Sequence, residues 1–188
     1  MIKLGFKIIS TVFSLLIIGY ISYTYILPKL NSARSDSDNE YFTVERVVDG
    51  DTFKMSNGDR VRLLGIDTPE KYDSKKLDND SRSTGKDKKT IQTLGKLASD
   101  YVKGFVEGKK VKLVKEPNYQ DKDQYGRLLR YVYLQDGTFV NARIIKDGYG
   151  QVYESFPISK LDEFRKLQKE ARDNKRGLWA EINGVKQF

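Results

Sequence analysis

The sequence predicts an α+β protein in which a five-stranded Greek-key β-barrel with about three helices follows an N-terminal transmembrane helix. Three observations support this prediction. Residues 8–27 carry no charge, short β-rich segments separated by Asp-Gly and Asn-Gly turns begin near residue 41, and an amphipathic helical pattern falls between the third and fourth of these segments. With 188 residues and 38% apolar content, the chain can form one domain with its own core.

The N-terminal segment is the first element. Ile8 to Leu27 is uncharged and mostly aliphatic or aromatic, and a helix rising about 1.5 Å per residue over this length just spans a hydrocarbon core of ~30 Å. A cleaved signal peptide is the alternative, although its apolar region is normally shorter and Asn31-Ser32-Ala33 is a poor cleavage site. We expect an anchor over residues 1–30 and a polar tether over 31–40, with the folded domain extracellular, or secreted if the segment is cleaved.

Three strands are predicted next. Tyr41 to Val48 is rich in β-formers and reaches the Asp49-Gly50 turn, Thr52 to Met55 is the second strand, and Arg60 to Ile66 follows a turn centred on Asn57-Gly58. The third strand should stop before Pro69, which has no backbone N–H. Three short antiparallel strands in succession form a meander whose apolar face must be covered.

The segment from Lys71 to Lys89 has many charged residues and little apolar content. It is predicted to be a solvated, mobile loop. A basic flap over an anionic ligand is the alternative, because loops beside sites often carry contacts.

The rest of the chain supplies the remaining elements. Apolar residues at spacings of three and four predict a helix from Ile91 to about Gly108. A strand over Lys110–Lys115, a polar loop over Pro117–Tyr125 and a second strand over Arg127–Leu134 then follow. A short helix over Asn141–Lys146, which Asn141 caps, and a final helix over Ser159–Asn174 complete the pattern. The barrel type that fits this order is the OB-fold, although the pattern leaves a generic α+β domain open. The domain is placed at residues 41–182 and a C-terminal tail at 183–188.

The composition limits the chemistry. The chain has no cysteine and no histidine, which excludes disulfides, thiolate nucleophiles, imidazole acid–base catalysis and the usual zinc sites. The formal net charge of +8 indicates an anionic partner, either nucleic acid or a lipid surface. Any reaction must therefore use carboxylates, Arg, Lys, Tyr, hydroxyls or a metal held by oxygen atoms.

Polar residues at the strand ends can supply such a site. Asp51, Asp67 and the Thr68 carbonyl offer the hard oxygen ligands that Ca²⁺ prefers. Glu70, just beyond them, can polarise a water molecule. The arginines Arg62 and Arg127 can bind the oxygens of a phosphodiester through their planar guanidinium groups. Each of these motifs also has a purely structural explanation, since Asp-Gly pairs and Asp-Thr-Pro-Glu are common in turns.

Three motifs occur together in this order. Val48-Asp49-Gly50-Asp51-Thr52, Arg62 to Glu70 and Asp123-Gln124-Tyr125-Gly126-Arg127 resemble the signature blocks of the staphylococcal nuclease (thermonuclease) family. The resemblance extends from about Tyr41 to Ala180. It implies an OB-fold barrel, and calcium-dependent hydrolysis of DNA and RNA that leaves 3′-phosphate ends.

The resemblance also implies roles for individual residues. The calcium carboxylates are Asp51 and Asp67, Thr68 gives a backbone carbonyl, and Glu70 is the general base. By the same resemblance, Arg62 and Arg127 bind phosphate, and Tyr125 and Gln124 contact the nucleotide. Tyr153 is the residue that would stack on a base. Gln124 stands where a basic residue is usual, which weakens one phosphate contact, and Tyr153 does not align cleanly.

Two other functions stay open from the sequence. One is a catalytically weak OB-fold module that binds nucleic acid, and the other is a membrane-tethered protein whose basic face binds an anionic surface. A monomer without an obligate protein partner is expected in each case.

Overall fold

The computed structural model describes residues 17–26, 40–117, 119–155, 158–182 and 185–186. These fall in two compact units, Met1–Glu40 and Tyr41–Phe188. In the first unit, residues 17–21 are α-helical and Ser22–Ile26 is a π-helical turn. No helix in the described part of the chain is long and apolar enough to cross a membrane. Residues 8–16 and 27 of the predicted span, and nearly all of the tether, lie outside the described residues.

The second unit contains the predicted barrel. Five strands form it: β1 (Tyr41–Asp49), β2 (Thr52–Met55), β3 (Arg60–Leu63), β5 (Lys110–Val114) and β6 (Leu128–Leu134). They pair in the closed order β1-β2-β3-β6-β5, antiparallel throughout except for β3 and β6. The long helix α2 (Lys88–Val106) lies between the third and fourth barrel strands, as predicted. In chain order the elements are β1 (Tyr41–Asp49), β2 (Thr52–Met55), β3 (Arg60–Leu63), β4 (Ile66–Asp67), α1 (Lys75–Thr84), α2 (Lys88–Val106), β5 (Lys110–Val114), β6 (Leu128–Leu134), α3 (Val140–Lys146), β7 (Gln151–Val152), α4 (Leu161–Asp173), a 3₁₀ turn (Gly177–Trp179), β8 (Glu181–Ile182) and β9 (Val185–Lys186).

The core fills the barrel and the space beneath α2. Alternate residues of the first three strands point inward, and Val44, Phe53 and Val61 are completely buried. The helix α2 packs against β1 and buries its apolar face, including Ala98 and Val102. Each large aliphatic or aromatic side chain buried in this way contributes about 1.5–3 kcal/mol to folding. The core therefore provides a rigid support for the strand ends.

The third predicted strand is interrupted in the structure. The strand β3 ends at Leu63, the chain turns at Leu64 and Gly65, and β4 pairs with β7 outside the barrel. Gly65 has φ 72°, and a Cβ there would lie 2.3 Å from Ile158 Cδ1, so both backbone and packing require glycine. After this turn the chain still contacts the end of the barrel, because Asp67 pairs with Arg62 and Thr68 N donates to Asp51.

The prediction of a loop over Lys71–Lys89 was wrong. Most of this segment is helical: α1 begins after Ser74, whose Oγ accepts a hydrogen bond from Leu77 N, and ends at Gly85 with φ 71°. Leu77 is completely buried, so one apolar side chain together with two caps holds a helix whose composition suggested solvent exposure. Asn141 was also predicted wrongly as a helix cap. It lies inside α3, completely buried, where its side chain accepts from Val132 N and donates to the Leu64 carbonyl.

Candidate active site

One cleft gathers the residues predicted from the sequence. A cavity of about 660 Å³ opens where β1, β3 and β4 end and where the loop before β6 approaches them. Thr68 is buried against one of its walls. The predicted residues that line the cavity itself are Asp51, Arg62, Asp67, Glu70, Gln124, Tyr125, Arg127 and Tyr153.

Asp51 connects two acidic turns of the chain. The first corner is the turn at residues 49–51, before β2, and the second corner is the segment at residues 67–70, at the end of β4. Its Oδ2 accepts hydrogen bonds from Thr68 N at 3.0 Å and Thr68 Oγ1 at 3.1 Å, and pairs with Arg62 Nη1 at 3.0 Å. A Cβ on Gly50 would lie 2.8 Å from Thr68 Cγ2. The corners meet this closely because residue 50 has no side chain.

Asp49 and Asp51, the two aspartates of the first corner, differ in their pKa values. Burial raises the pKa of Asp51, but the Arg62 guanidinium, Asp49, Lys76 and the Thr68 N–H together outweigh burial, and the pKa ends below its ordinary value. Burial, together with the negative charge of Asp51, raises the pKa of Asp49 to about 7. Below neutral pH, Asp49 is therefore protonated while Asp51 carries the charge.

Arg62 is buried among carboxylates. Besides Asp51 it contacts Asp67 Oδ1 at 3.2 Å through Nη2, and Nη1 donates to the Leu63 carbonyl. Burial opposes the charge on the guanidinium, but the negative charges of Asp51, Asp67 and Asp49, with Tyr153, together outweigh burial and raise the pKa of Arg62. Burial and the nearby Asp51 raise the pKa of Asp67. Arg62, predicted to bind phosphate, is in this structure engaged in holding two aspartates together.

Lys76 lies among the carboxylates on the same side of the cleft, and sequence reasoning missed it. Its Nζ lies 3.1–3.3 Å from four oxygen atoms: the Thr68 carbonyl, Glu70 Oε1, Asp67 Oδ2 and Asp80 Oδ2. Burial lowers the pKa of Lys76, but Asp67 and the other carboxylates outweigh burial and raise it. The i,i+4 spacing of Lys76 and Asp80 was the available signal, but it becomes informative only once α1 is known to be a helix.

The Glu70 corner is fixed by close packing on α2. A Cβ on Gly95 would lie 2.6 Å from the carbonyl carbon and oxygen of Glu70. Lys71 Nζ also bonds Ser99 Oγ on α2 at 2.9 Å, and Ser74 Oγ donates to Glu70 Oε2 at 3.2 Å. Gly95 was missed as well, although a glycine within an amphipathic helix is a signal of close backbone approach.

Arg127 lies on the other side of the cleft. Its Nε donates to Asp123 Oδ2 at 2.7 Å and its Nη1 to Thr52 Oγ1 at 3.3 Å. Asp123 Oδ1 also accepts from the backbone N–H groups of Tyr125 and Arg127. Burial raises the pKa of Asp123, but the bond from Arg127, the two backbone N–H groups and the charge of Arg127 together outweigh burial, and the pKa is lowered. Asp123 thus positions the arginine, a role the sequence motif did not specify.

The predicted nucleotide contacts surround this arginine. The Tyr125 ring is 70% exposed, and the Arg127 guanidinium lies 5.4 Å from its centroid. Tyr153 is partly exposed, and its N–H donates to the Gly65 carbonyl at 3.0 Å. Gln124 lines the same cleft. All three side chains are therefore near enough to touch a ligand there.

The acidic wall has the chemistry of a divalent-cation site. Asp67, Thr68 and Glu70 present hard oxygen atoms that converge on one positive charge, the Lys76 ammonium. Within the described residues, no group of three or more His, Cys, Asp or Glu side chains is arranged to hold a metal ion. Two carboxylates and a carbonyl are nevertheless oxygen donors of the kind that a hard cation prefers, and in this structure they contact the Lys76 ammonium.

Comparison with known proteins identifies the family. Residues 60–181 match the family described as staphylococcal nuclease homologue, a range that includes every predicted site residue except Asp51. The chain belongs to the staphylococcal nuclease homologue family.

Relatives in the family differ in how much of their length this chain spans. A thermonuclease of Staphylococcus intermedius is 33% identical over 185 residues, 95% of this chain and 97% of that protein. An "Uncharacterized endonuclease" of Escherichia coli O157:H7 is 34% identical over 145 residues, 76% of this chain and 78% of that protein. For endonuclease YhcR of Bacillus subtilis the identity is 32% over 146 residues, which cover 73% of this chain and 11% of YhcR.

Proposed function

We propose that this protein is a calcium-dependent nuclease that hydrolyses phosphodiester bonds of DNA and RNA and leaves 3′-phosphate ends. One observation carries the proposal: a single cleft has carboxylates and a peptide carbonyl on one wall and Arg127 on the other. Relatives named thermonuclease and endonuclease support the reaction class.

The basic side of the cleft binds the substrate. A phosphodiester placed in the cleft meets the planar guanidinium of Arg127, which Asp123 and Thr52 hold in one orientation. A fixed arginine stabilises the negative charge that grows on the phosphate oxygens in the transition state, because little reorganisation is then required. Tyr125 and Tyr153 offer exposed rings to the adjoining nucleotide.

The acidic side activates water. Glu70 accepts a proton from the attacking water, whose oxygen bonds to phosphorus while the bond from phosphorus to the 5′ oxygen breaks. The 5′ oxygen takes up a proton from solvent and leaves as a hydroxyl group, and the 3′ phosphate stays on the other fragment. Asp51, Asp67 and the Thr68 carbonyl are the groups that would hold Ca²⁺, which when bound supplies positive charge to the phosphate. Arg62 keeps the two aspartates together despite their mutual repulsion.

The function is tested with the purified full-length chain in detergent, on DNA and on RNA, in Ca²⁺ and in EDTA. Glu70→Gln should lower kcat by about 10²–10³-fold, because the water loses its proton acceptor. Glu163→Gln, on the surface of α4, is the matched control and should leave the rate unchanged. Cleavage that persists in EDTA or survives Glu70→Gln would disprove the mechanism. Binding without cleavage would instead indicate a nucleic-acid-binding module.

We also propose that residues 1–30 anchor the protein in the cell membrane with the domain outside. The uncharged stretch over residues 8–27 supports this location, as does the abundance of Ca²⁺ outside cells, which suits a site with few carboxylates. Membrane fractionation and the mass of the mature N-terminus test it. A soluble product beginning after residue 30 would show secretion instead.

A further inference from the structure

Lys76 occupies the centre of the acidic wall. The four oxygen atoms around its Nζ come from β4, from the corner that follows β4 and from α1. An ammonium group has three hydrogens to donate, so four oxygens at 3.1–3.3 Å form a full shell around it. Three of the residues that supply these oxygens, Asp67, Thr68 and Glu70, belong to the wall proposed to bind Ca²⁺ and activate water.

The structure holds this lysine in place through the helix that carries it. The adjacent Leu77 is completely buried, Ser74 caps the start of α1, and α1 packs on α2. The Lys76 side chain itself is 37% exposed. A long flexible stem on a fixed helix allows the ammonium to leave the oxygens for solvent without unfolding α1.

An ammonium and a divalent cation cannot share these oxygens. Both need the Thr68 carbonyl and the Asp67 carboxylate, and like charges a few ångströms apart repel each other. Filling the site with metal therefore requires the ion pairs of Lys76 to break. The free energy of breaking them is subtracted from the free energy of metal binding.

We propose that Lys76 is a tethered competitor of the divalent cation, and that it sets the Ca²⁺ concentration at which the site fills. The inference rests on the proposed function, because that function makes Asp67 and Thr68 metal ligands. It adds a prediction that the ligands alone do not make: the cation affinity is limited by a residue of α1. With Lys76 in place, its ammonium offsets part of the negative charge of the acidic wall.

The test is calorimetric titration of Ca²⁺ into the full-length chain in detergent, without substrate. Lys76→Met should lower Kd for Ca²⁺ by roughly tenfold, since even a partly screened ammonium at this distance is worth more than 1 kcal/mol. Lys76→Arg should keep Kd within about threefold of wild type, because the competing charge remains. Lys75→Met is the matched control, with the same change of charge on the same helix at an exposed side chain that lines the cleft; it should change Kd by less than about twofold.

The possible results separate the two proposals. A Kd equal to wild type in Lys76→Met, with binding abolished by Asp67→Asn, would overturn the competition and leave the calcium site standing. Weaker binding in Lys76→Met would also overturn it, since Lys76 would then organise the ligands. An absence of Ca²⁺ binding in both wild type and Lys76→Met would overturn the competition together with the calcium part of the proposed function. Thermal unfolding in EDTA checks that each variant folds, and Lys76→Gln replaces Lys76→Met if the latter does not.

Discussion

The arginines of the cleft, Arg62 and Arg127, resemble each other in sequence context but differ in what they contact. Arg62 pairs with two aspartates and with a backbone carbonyl, and its side chain is 15% exposed. Arg127 is held by Asp123 and Thr52, while its Nη2 takes part in none of the hydrogen bonds or ion pairs found within the described residues. One arginine therefore keeps a cluster of carboxylates together, and the other is presented to a ligand.

The largest expected effect is a difference in stability between variants that lack one arginine or the other. Arg62→Ala should lower the free energy of unfolding by about 3–5 kcal/mol, because the buried Asp51 and the nearby Asp67 lose their shared counter-charge. Arg127→Ala should cost less than half as much, since Asp123 keeps its bonds from backbone N–H groups. Urea unfolding in EDTA measures both values.

Cleavage rates complete that comparison. Arg127→Ala should lower kcat by about 10²–10³-fold in a folded protein. Equal losses of stability in the two variants would contradict the division of roles between the arginines.

A smaller effect is expected from a substitution that displaces the Glu70 side of the cleft and contacts neither arginine. Gly95→Ala places a methyl group where the Glu70 carbonyl lies, so we expect a loss of about 1–3 kcal/mol of stability and a lower kcat. Gly104→Ala is the matched control on α2, because no atom lies within 4 Å of its added Cβ. This control should gain about 0.5–1 kcal/mol from helix propensity. A lower kcat in the control variant, or no change in Gly95→Ala, would contradict the packing argument.

The smallest effect, taken per pH unit, concerns the protons on the Arg62 side of the cleft. Folded Asp49 keeps its proton up to about pH 7, whereas the unfolded chain releases it near 3.8. Between these values the folded state binds the extra proton, so stability falls as pH rises, by at most about 1.4 kcal/mol per pH unit. Asp67, whose pKa is also raised, adds to the slope, and the lowered pKa of Asp51 affects stability only at more acidic pH.

Denaturation in EDTA at several pH values measures this slope. Asp49→Asn should reduce the slope between pH 4 and 7 without abolishing it. Asp59→Asn, at an exposed turn, is the control and should leave the slope unchanged. An unchanged slope in Asp49→Asn would show that another group holds the proton.

Local pattern predicted most of the fold because most elements carry their own signal. The strands of the meander alternate in burial, and the α2 helix repeats its apolar residues with helical spacing. The α1 helix was missed because its mean composition is polar and its stability depends on caps and on Leu77 alone. Asn141 was misassigned because a buried amide and a helix cap look alike in sequence.

The sequence by itself determined most of the residues that form the candidate site, but not Lys76 or Gly95. Three motifs specified Asp51, Arg62, Asp67, Thr68, Glu70, Tyr125 and Arg127, and the fold brings them to one cleft. Tertiary structure alone decided their partners: the aspartates that Arg62 holds, the oxygens that surround Lys76, and the close approach of Gly95 to Glu70. The physical reason is that hydrogen bonding and close packing act over a few ångströms between residues far apart in the chain, and no local pattern encodes those distances.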